Sequence, residues 1–270
     1  MTESLNGARV ALLEARRESE LASLVRRHGG EPVCVPALRE VETDCAEAVG
    51  RAIDAAGRSG AVVALATGAG LSRLLAVADE AGRGTELRDA LKSATVVCRG
   101  PKPIAVLKRE GLTAHVRAAP PHTTRELVAA LEALDLRDHD FVFVHDGGGV
   151  RTVPEWAMDR GARIVEVQPY AWALPEDVSQ LQQLVRDLCD AKLTAVLFTT
   201  QVQARHMFAV ADAMRVKERL IAALKEKVAV GAIGPTTAAA LADVGVTGSV
   251  VPAQSSMGAM VLALARFFAT

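Results

Sequence analysis

An α/β fold is predicted, with parallel sheets flanked by helices and arranged as two similar lobes, and three observations predict it. Strand and helix signals alternate almost without exception along the 270 residues, which is the pattern of parallel sheets covered on both faces. The chain also echoes itself. VVALATGAGLSRLL from Val62 and AVLFTTQVQARHMF from Ala195 both read as strand, Thr turn and helix. VVCRGPKPIAVLKREGL from Val96 and VAVGAIGPTTAAALADVGV from Val228 both read as strand, Gly-Pro turn, helix and closing Gly, and such repetition argues for two similar lobes. Composition agrees: half of the residues are hydrophobic and only 3% aromatic, as suits Val-rich strands under Ala-faced helices.

Taken in order, the first half opens with a strand at 9–13, a helix at 19–28 stopped by Gly29 and Gly30, and an extended piece at 31–38. Pro36 interrupts that piece and cannot donate to a ladder, so it marks a strand leaving its sheet. A helix at 45–56, a strand at 61–66, a helix at 71–81, a short helix at 86–91 and a strand at 94–98 follow. Next come a helix at 103–110, a strand at 113–116 and a helix at 125–134 capped by Thr123 or Thr124. A strand at 140–144 runs into His145-Asp146-Gly147-Gly148-Gly149, a flexible turn without Walker A or GxGxxG spacing. A helix at 153–160 and a strand at 162–167 lead to Tyr170, a second crossing point.

The last third carries helices at 175–189, 202–213 and 216–226 around a strand at 193–198. In the buried strand at 228–233 the residues are short, apolar and partly β-branched. Gly234 and Pro235 break it, Thr236 or Thr237 caps a helix at 237–244, and Gly245 stops that helix. A strand at 246–252 and a helix at 256–268 end the chain. A strand, a Gly-containing turn and a helix start place backbone N–H groups at a sheet's carboxyl edge, a setting that suits an anion.

Charge and cysteines exclude several classes. The formal net charge is −1, so nothing pulls the whole chain toward nucleic acid or a membrane surface. Cys34, Cys45, Cys98 and Cys189 form no CxxC and read as reduced thiols of a cytoplasmic protein. The start MTESLNGARV lacks a signal-peptide pattern, which disfavours a two-lobed periplasmic solute receptor. No apolar run reaches the roughly 18 residues of a membrane span. The six histidines show no metal spacing and no GxSxG elbow is present, so neither a metal site nor a serine nucleophile of that type is expected.

IGPTTAAAL followed by Gly245 resembles the C-terminal signature of the uroporphyrinogen-III synthase family, Gly-Pro-x-Thr, a helix ending in Ala-Leu, then Gly. Gly234, Pro235, Thr237, Ala240, Leu241 and Gly245 carry the match. RVALLEARRESELASLVRRHGGEPVCVPAL is similar to the family's opening, and TGAGLSRLL, CRGPKPIAVLKREGL and HTTRELVAAL to its middle lobe. VEVQPYAWALPED is similar to its return crossover and FTTQVQARHMF to its second Thr/Ser turn. The resemblance thus covers nearly the whole chain. It implies two α/β lobes joined by two extended strands with a cleft between them. Lobe one is then about 1–37 plus 173–270, holding both termini, and lobe two is an insertion of about 40–170.

The resemblance also implies a cofactor-free lyase that closes hydroxymethylbilane, a linear tetrapyrrole polycarboxylate, into uroporphyrinogen III in tetrapyrrole biosynthesis, with the last pyrrole ring inverted. Read without it, Tyr170 is an amphipathic residue packed at a domain crossing; with it, Tyr170 is the catalytic residue that helps a hydroxyl leave. Thr67, Thr200 and Thr237 read bare as helix caps, and the resemblance makes them substrate contacts with Gly68, Thr123, Gly234 and Thr236. Gln201-Val202-Gln203 departs from the Pro or small residue that the family often has after the position of Thr200. Among the cations near strand ends, Arg16, Arg17, Arg125, Arg151 and Arg205 read as solvated charge, whereas GPKP fixes the loop of Arg99 and Lys102 and marks them for the substrate. Tyr170 and Thr237 are expected to face each other across the cleft. The alternative function is a non-catalytic ligand-sensing module, as in relatives fused to response-regulator DNA-binding domains. Ending at Thr270 without a winged-helix segment, this chain is expected to bind no DNA itself and to be a monomer.

Overall fold

The computed structural model describes residues 3–269, and the chain divides into two compact units. One is Met1–Arg39 with Ala173–Thr270, and the other is Glu40–Trp172.

The first unit holds a parallel sheet of β1 (Arg9–Leu12), β2 (Glu31–Cys34), β10 (Ala195–Phe198) and β11 (Ala229–Ala232), in the order β11-β10-β1-β2. Its helices are α1 (Glu18–Arg27), α8 (Ser179–Cys189), α9 (Gln201–Ala213), α10 (Lys217–Glu226), α11 (Pro235–Asp243) and α12 (Met257–Phe267). The register aligns Val10 with Ala195 and Val196 with Val230. Alternate side chains therefore enter two different cores. Ala11, Val196, Phe198 and Val230 pack with α8, α9 and α10, while Val10, Leu12 and Leu197 pack with α1 and α12. Each face of the sheet is apolar, so no strand shows a polar alternation.

The second unit is built the same way around β4 (Val62–Leu65), β5 (Thr95–Cys98), β6 (Val116–Arg117), β7 (Asp140–Val144) and β8 (Arg163–Val167), in the order β6-β5-β4-β7-β8. Its helices are α2 (Ala46–Ala56), α3 (Gly68–Glu80), α4 (Gly84–Ser93), α5 (Pro101–Arg109), α6 (Thr124–Leu131) and α7 (Thr152–Met158). Val63, Leu65, Val142 and Val144 face α2, α3 and α4, and Val62, Phe141 and Phe143 face α6 and α7. Phe141 is fully buried; its replacement by Ala would cost about 3–5 kcal/mol in lost contact and cavity.

The internal echo extends to the topology. Strands β4 and β5 with α3 and α5 correspond to β10 and β11 with α9 and α11, and β7 and β8 correspond to β1 and β2. A lone parallel bridge between Gly231 and Val250 takes the place of β6. Strands β3 (Arg39–Glu42) and β9 (Tyr170–Ala173) pair as a separate two-stranded ribbon that contains both chain crossings between the units.

Several boundaries differ from the sequence-based expectation. The strand expected at 246–252 shrinks to the bridge at Val250, because Gly248 has φ +82° and Pro252 brings no donor. Helix α8 starts at Ser179 and not at 175, since the Asp177 carboxylate accepts the Ser179 N–H (2.8 Å) and makes a turn first. Helix α11 starts at Pro235, with Gly234 as N-cap, so neither Thr236 nor Thr237 caps it. Proline is pre-set for the first helical position, where its missing N–H costs nothing.

Candidate functional site

In each sheet the strand order reverses once, between β4 and β7 and between β1 and β10. Ligands of open parallel sheets bind beyond the carboxyl ends of the strands at such a reversal. Most of the sequence-predicted residues of each unit gather at that edge of its own sheet.

In the second unit, Thr67 follows β4 and caps α3, its Oγ1 accepting the Gly70 N–H at 2.9 Å. The same Oγ1 lies 3.2 Å from the hydroxyl of Tyr170. Tyr170 is 2% exposed and packs edge-on against Trp172, with centroids 5.4 Å apart. Gly68 admits the neighbouring α5: a Cβ there would lie 2.9 Å from the Lys102 carbonyl oxygen. Strand β5 ends at Cys98, just before Arg99, and Gly100 then stands at the N-cap of α5 without any side-chain cap. Lys102, exposed in that first turn, has no hydrogen-bond or ion-pair partner among the described residues.

Strand β7 delivers His145 and Asp146. His145 is buried and its Nε2 lies 2.9 Å from the Glu166 carboxylate, which Arg151 also grips. Asp146 accepts from Arg99 at 2.9 Å and from the Gly148 N–H at 3.1 Å. Burial alone would raise the Asp146 pKa, but the Arg99 charge and hydrogen bond outweigh it and hold the carboxyl below its ordinary range. Burial likewise works against ionisation of Glu166, and its hydrogen bonds to Arg151 and His145 overcome it, so Glu166 too is lowered. Thr123 forms a capping box with Glu126 at the start of α6, and the Thr123 and Arg125 hydrogen bonds draw the Glu126 carboxyl down to about 2. Cys98, the buried residue before Arg99, is pushed up to about 12 by burial and stays a neutral thiol.

In the first unit, Thr200 caps α9 by accepting the Gln203 N–H. Gln203 is fully buried, and its side-chain oxygen accepts the N–H groups of Thr199 (2.7 Å) and Thr200 (3.2 Å). Its amide nitrogen donates to Thr199 Oγ1 at 2.8 Å, and the Thr199 hydroxyl donates to Glu14 at the end of β1. The α9 turn thus fills its own amides. The start of α11 is different. Gly234 is extended, Pro235 occupies the first helical position and no side chain caps the helix. Thr236 is exposed, whereas Thr237 is 4% exposed and its hydroxyl has no hydrogen-bond partner among the described residues. The two echoed Gly-Pro helices, α5 and α11, are therefore both uncapped, and the two echoed Thr-turn helices, α3 and α9, are both self-capped.

The sequence reading missed Glu14, Asp146, Glu166 and Gln203. Thr-x-x-Gln at 200–203 is a capping-box pattern and was the available signal for Gln203. Arg17, Arg125, Arg151 and Arg205 pair with Glu20, Glu126, Glu166 and Gln201. Chemically, the two edges offer uncapped helix starts for anions, a Lys102 cation without a partner among the described residues, and a hydrogen-bonded phenol.

A family model described as uroporphyrinogen-III synthase HemD matches residues 19–262. The chain is 29% identical over 275 residues to an uncharacterized protein, YjjA, of Bacillus subtilis, covering 99% of this chain and 98% of that one. It is 28% identical over 251 residues to a putative uroporphyrinogen-III synthase of Methanothermobacter thermautotrophicus, covering 92% and 94%. Among solved structures it is similar in fold to a mutant uroporphyrinogen III synthase from the extremely thermophilic bacterium Thermus thermophilus, with a TM-score of 0.80 at 23% identity over 97% of this chain and 99% of that chain.

Proposed function

The chain belongs to the uroporphyrinogen-III synthase family, and from that premise we propose that it cyclises hydroxymethylbilane to uroporphyrinogen III. The observation that carries the reading is the pair of uncapped Gly-Pro helix starts, one at the carboxyl edge of each parallel sheet. Hydroxymethylbilane carries an acetate and a propionate on every pyrrole. Unfilled amides at the positive end of a helix stabilise such carboxylates, and Lys102 adds a cation beside one of them.

The proposed chemistry begins with loss of the terminal hydroxyl, pushed out by the pyrrole electrons to leave an azafulvene. Thr67 Oγ1 accepts the Gly70 N–H, so its own hydrogen is available to the Tyr170 oxygen. In the proposed step the Tyr170 hydroxyl donates its hydrogen to the departing oxygen, which leaves as water once it gains a proton. The substituted carbon of the last pyrrole attacks the azafulvene, and the spiro intermediate rearranges and closes with that ring inverted. Orientation of the rings and stabilisation of the departing hydroxyl are the work left to the protein.

The test is product identity. Hydroxymethylbilane is incubated with the protein and the oxidised porphyrin isomers are separated. Type III isomer is expected. Type I isomer alone, at the rate of spontaneous closure, would overturn the enzymatic reading and leave the ligand-sensing one.

A further inference from the structure

The turn after β7, His145-Asp146-Gly147-Gly148-Gly149, reads in the sequence as merely flexible. In the structure it is the surface on which β9 is seated. The Trp172 indole N–H donates to the Asp146 carbonyl oxygen at 3.0 Å, and the Trp172 backbone N–H donates to that of Gly147 at 3.3 Å. Asp146 fixes the turn from beneath through Gly148 and Arg99. Gly147 has φ +80°, and a Cβ there would lie 2.5 Å from Cε2 and 2.7 Å from Cδ2 of Tyr170, and 3.0 Å from Trp172 Nε1. No real Cβ approaches a ring atom that closely, and the ring is rigid. The Tyr170 ring thus lies against the bare backbone of Gly147, and its hydroxyl meets Thr67.

We infer that Gly147 is a positioning residue for Tyr170, the missing side chain setting where the phenol ring lies and so whether its hydroxyl reaches Thr67. The kinetic part of this inference rests on the proposed cyclisation; the structural part does not. Gly149 provides a matched control. It also has positive φ, +67°, but a Cβ there meets nothing within 4 Å. Gly147→Ala and Gly149→Ala therefore carry the same kind of backbone strain and differ in what the methyl group touches.

Tyr170 is the chain's only tyrosine, so ring-labelled tyrosine gives a single set of NMR signals that reports this side chain alone. Gly147→Ala is expected to move those signals and to slow type III formation about ten- to a hundredfold, with KM nearly unchanged, as displacement of a reacting group by about 1 Å does. Gly149→Ala is expected to lower the melting temperature while leaving the tyrosine signals and turnover as they are. If Gly147→Ala does not fold, the double variant Gly147→Ala/Tyr170→Ala, which removes the obstructing ring, is expected to fold again. Wild-type tyrosine signals in Gly147→Ala, equal displacement in Gly149→Ala, or a double variant that stays unfolded would each overturn the inference. A protein that makes no type III isomer, yet shows the expected tyrosine signals, would refute the proposed reaction and leave the positioning role standing.

Discussion

The hydroxyl of Tyr170 lies 3.2 Å from Thr67 Oγ1, the atom that also caps α3 through the Gly70 N–H. One threonine therefore holds both a helix start and the only tyrosine of the chain. In Tyr170→Phe the cap persists and the buried ring keeps its packing. Stability should fall only by the net worth of one hydrogen bond, about 0.5–1.5 kcal/mol. Type III formation should slow about ten- to a hundredfold, because a hydrogen bond to developing charge is worth about 1.5–3 kcal/mol. Urea unfolding and initial rates separate the two. A native rate with lowered stability would make Tyr170 a packing residue.

Gln203 presents the opposite case, a polar residue whose bonds are all internal. Its side chain satisfies the N–H groups of Thr199 and Thr200 and the Thr199 hydroxyl oxygen, with no exposure to solvent. Gln203→Leu keeps the volume and orphans those groups. Buried donors left without partners cost about 1–3 kcal/mol each, so a loss of at least about 2 kcal/mol is expected in urea unfolding. A loss below the resolution of the measurement would show that water takes over these bonds.

The two sequence echoes were legible because strand, Gly-Pro turn and helix are local signals, and the uncapped state of α5 and α11 follows from the same Gly-Pro pair. The ribbon strands were expected only through the family resemblance, which implied two extended strands between the lobes, and not from their own residues. REVE at β3 is mostly charged, and YAWA at β9 is apolar but only four residues long, and what makes them strands is each other, far apart in the chain. The His145–Glu166 contact has a similar origin: it depends on the register that sets Val144 beside Val167, which no spacing in the sequence reveals. The threonine caps at 67, 123 and 200 were legible; at 236 and 237 the preceding proline had already taken the helix start.

Asp146 and Arg99 give a pH dependence with a definite sign. The folded-state pKa of Asp146 lies below its ordinary value, and although burial opposes this, the Arg99 interactions prevail. The unfolded chain thus binds the proton more readily than the folded one. The stabilisation is complete above the ordinary carboxyl pKa of about 3.9 and is lost as pH falls below it through the folded value. Glu166 is lowered as well and adds to the same acid limb. Asp146→Asn should therefore be less stable than the parent near neutral pH, with the gap narrowing as the solution is acidified. Urea midpoints of both proteins across that range check it, and a gap that stays constant with pH would refute the assignment.

Thr237 allows folding and function to be separated most cleanly. It is 4% exposed, sits in the first turn of uncapped α11, and its hydroxyl has no hydrogen-bond partner among the described residues. Thr237→Val exchanges that hydroxyl for a methyl group of similar size at nearly equal helix propensity. No internal hydrogen bond is broken, so the urea midpoint should move by no more than about 0.5 kcal/mol in equivalent stability. If the hydroxyl serves a substrate carboxylate beside the helix start, that contact is lost, and a hydrogen bond to a charged group of about 1.5–3 kcal/mol predicts a fall in kcat/KM of about ten- to a hundredfold. The pairing of unchanged stability with lowered activity is the expected result. An unchanged kcat/KM would remove Thr237 from the substrate site, and a large loss of stability would mean that the hydroxyl supports the fold.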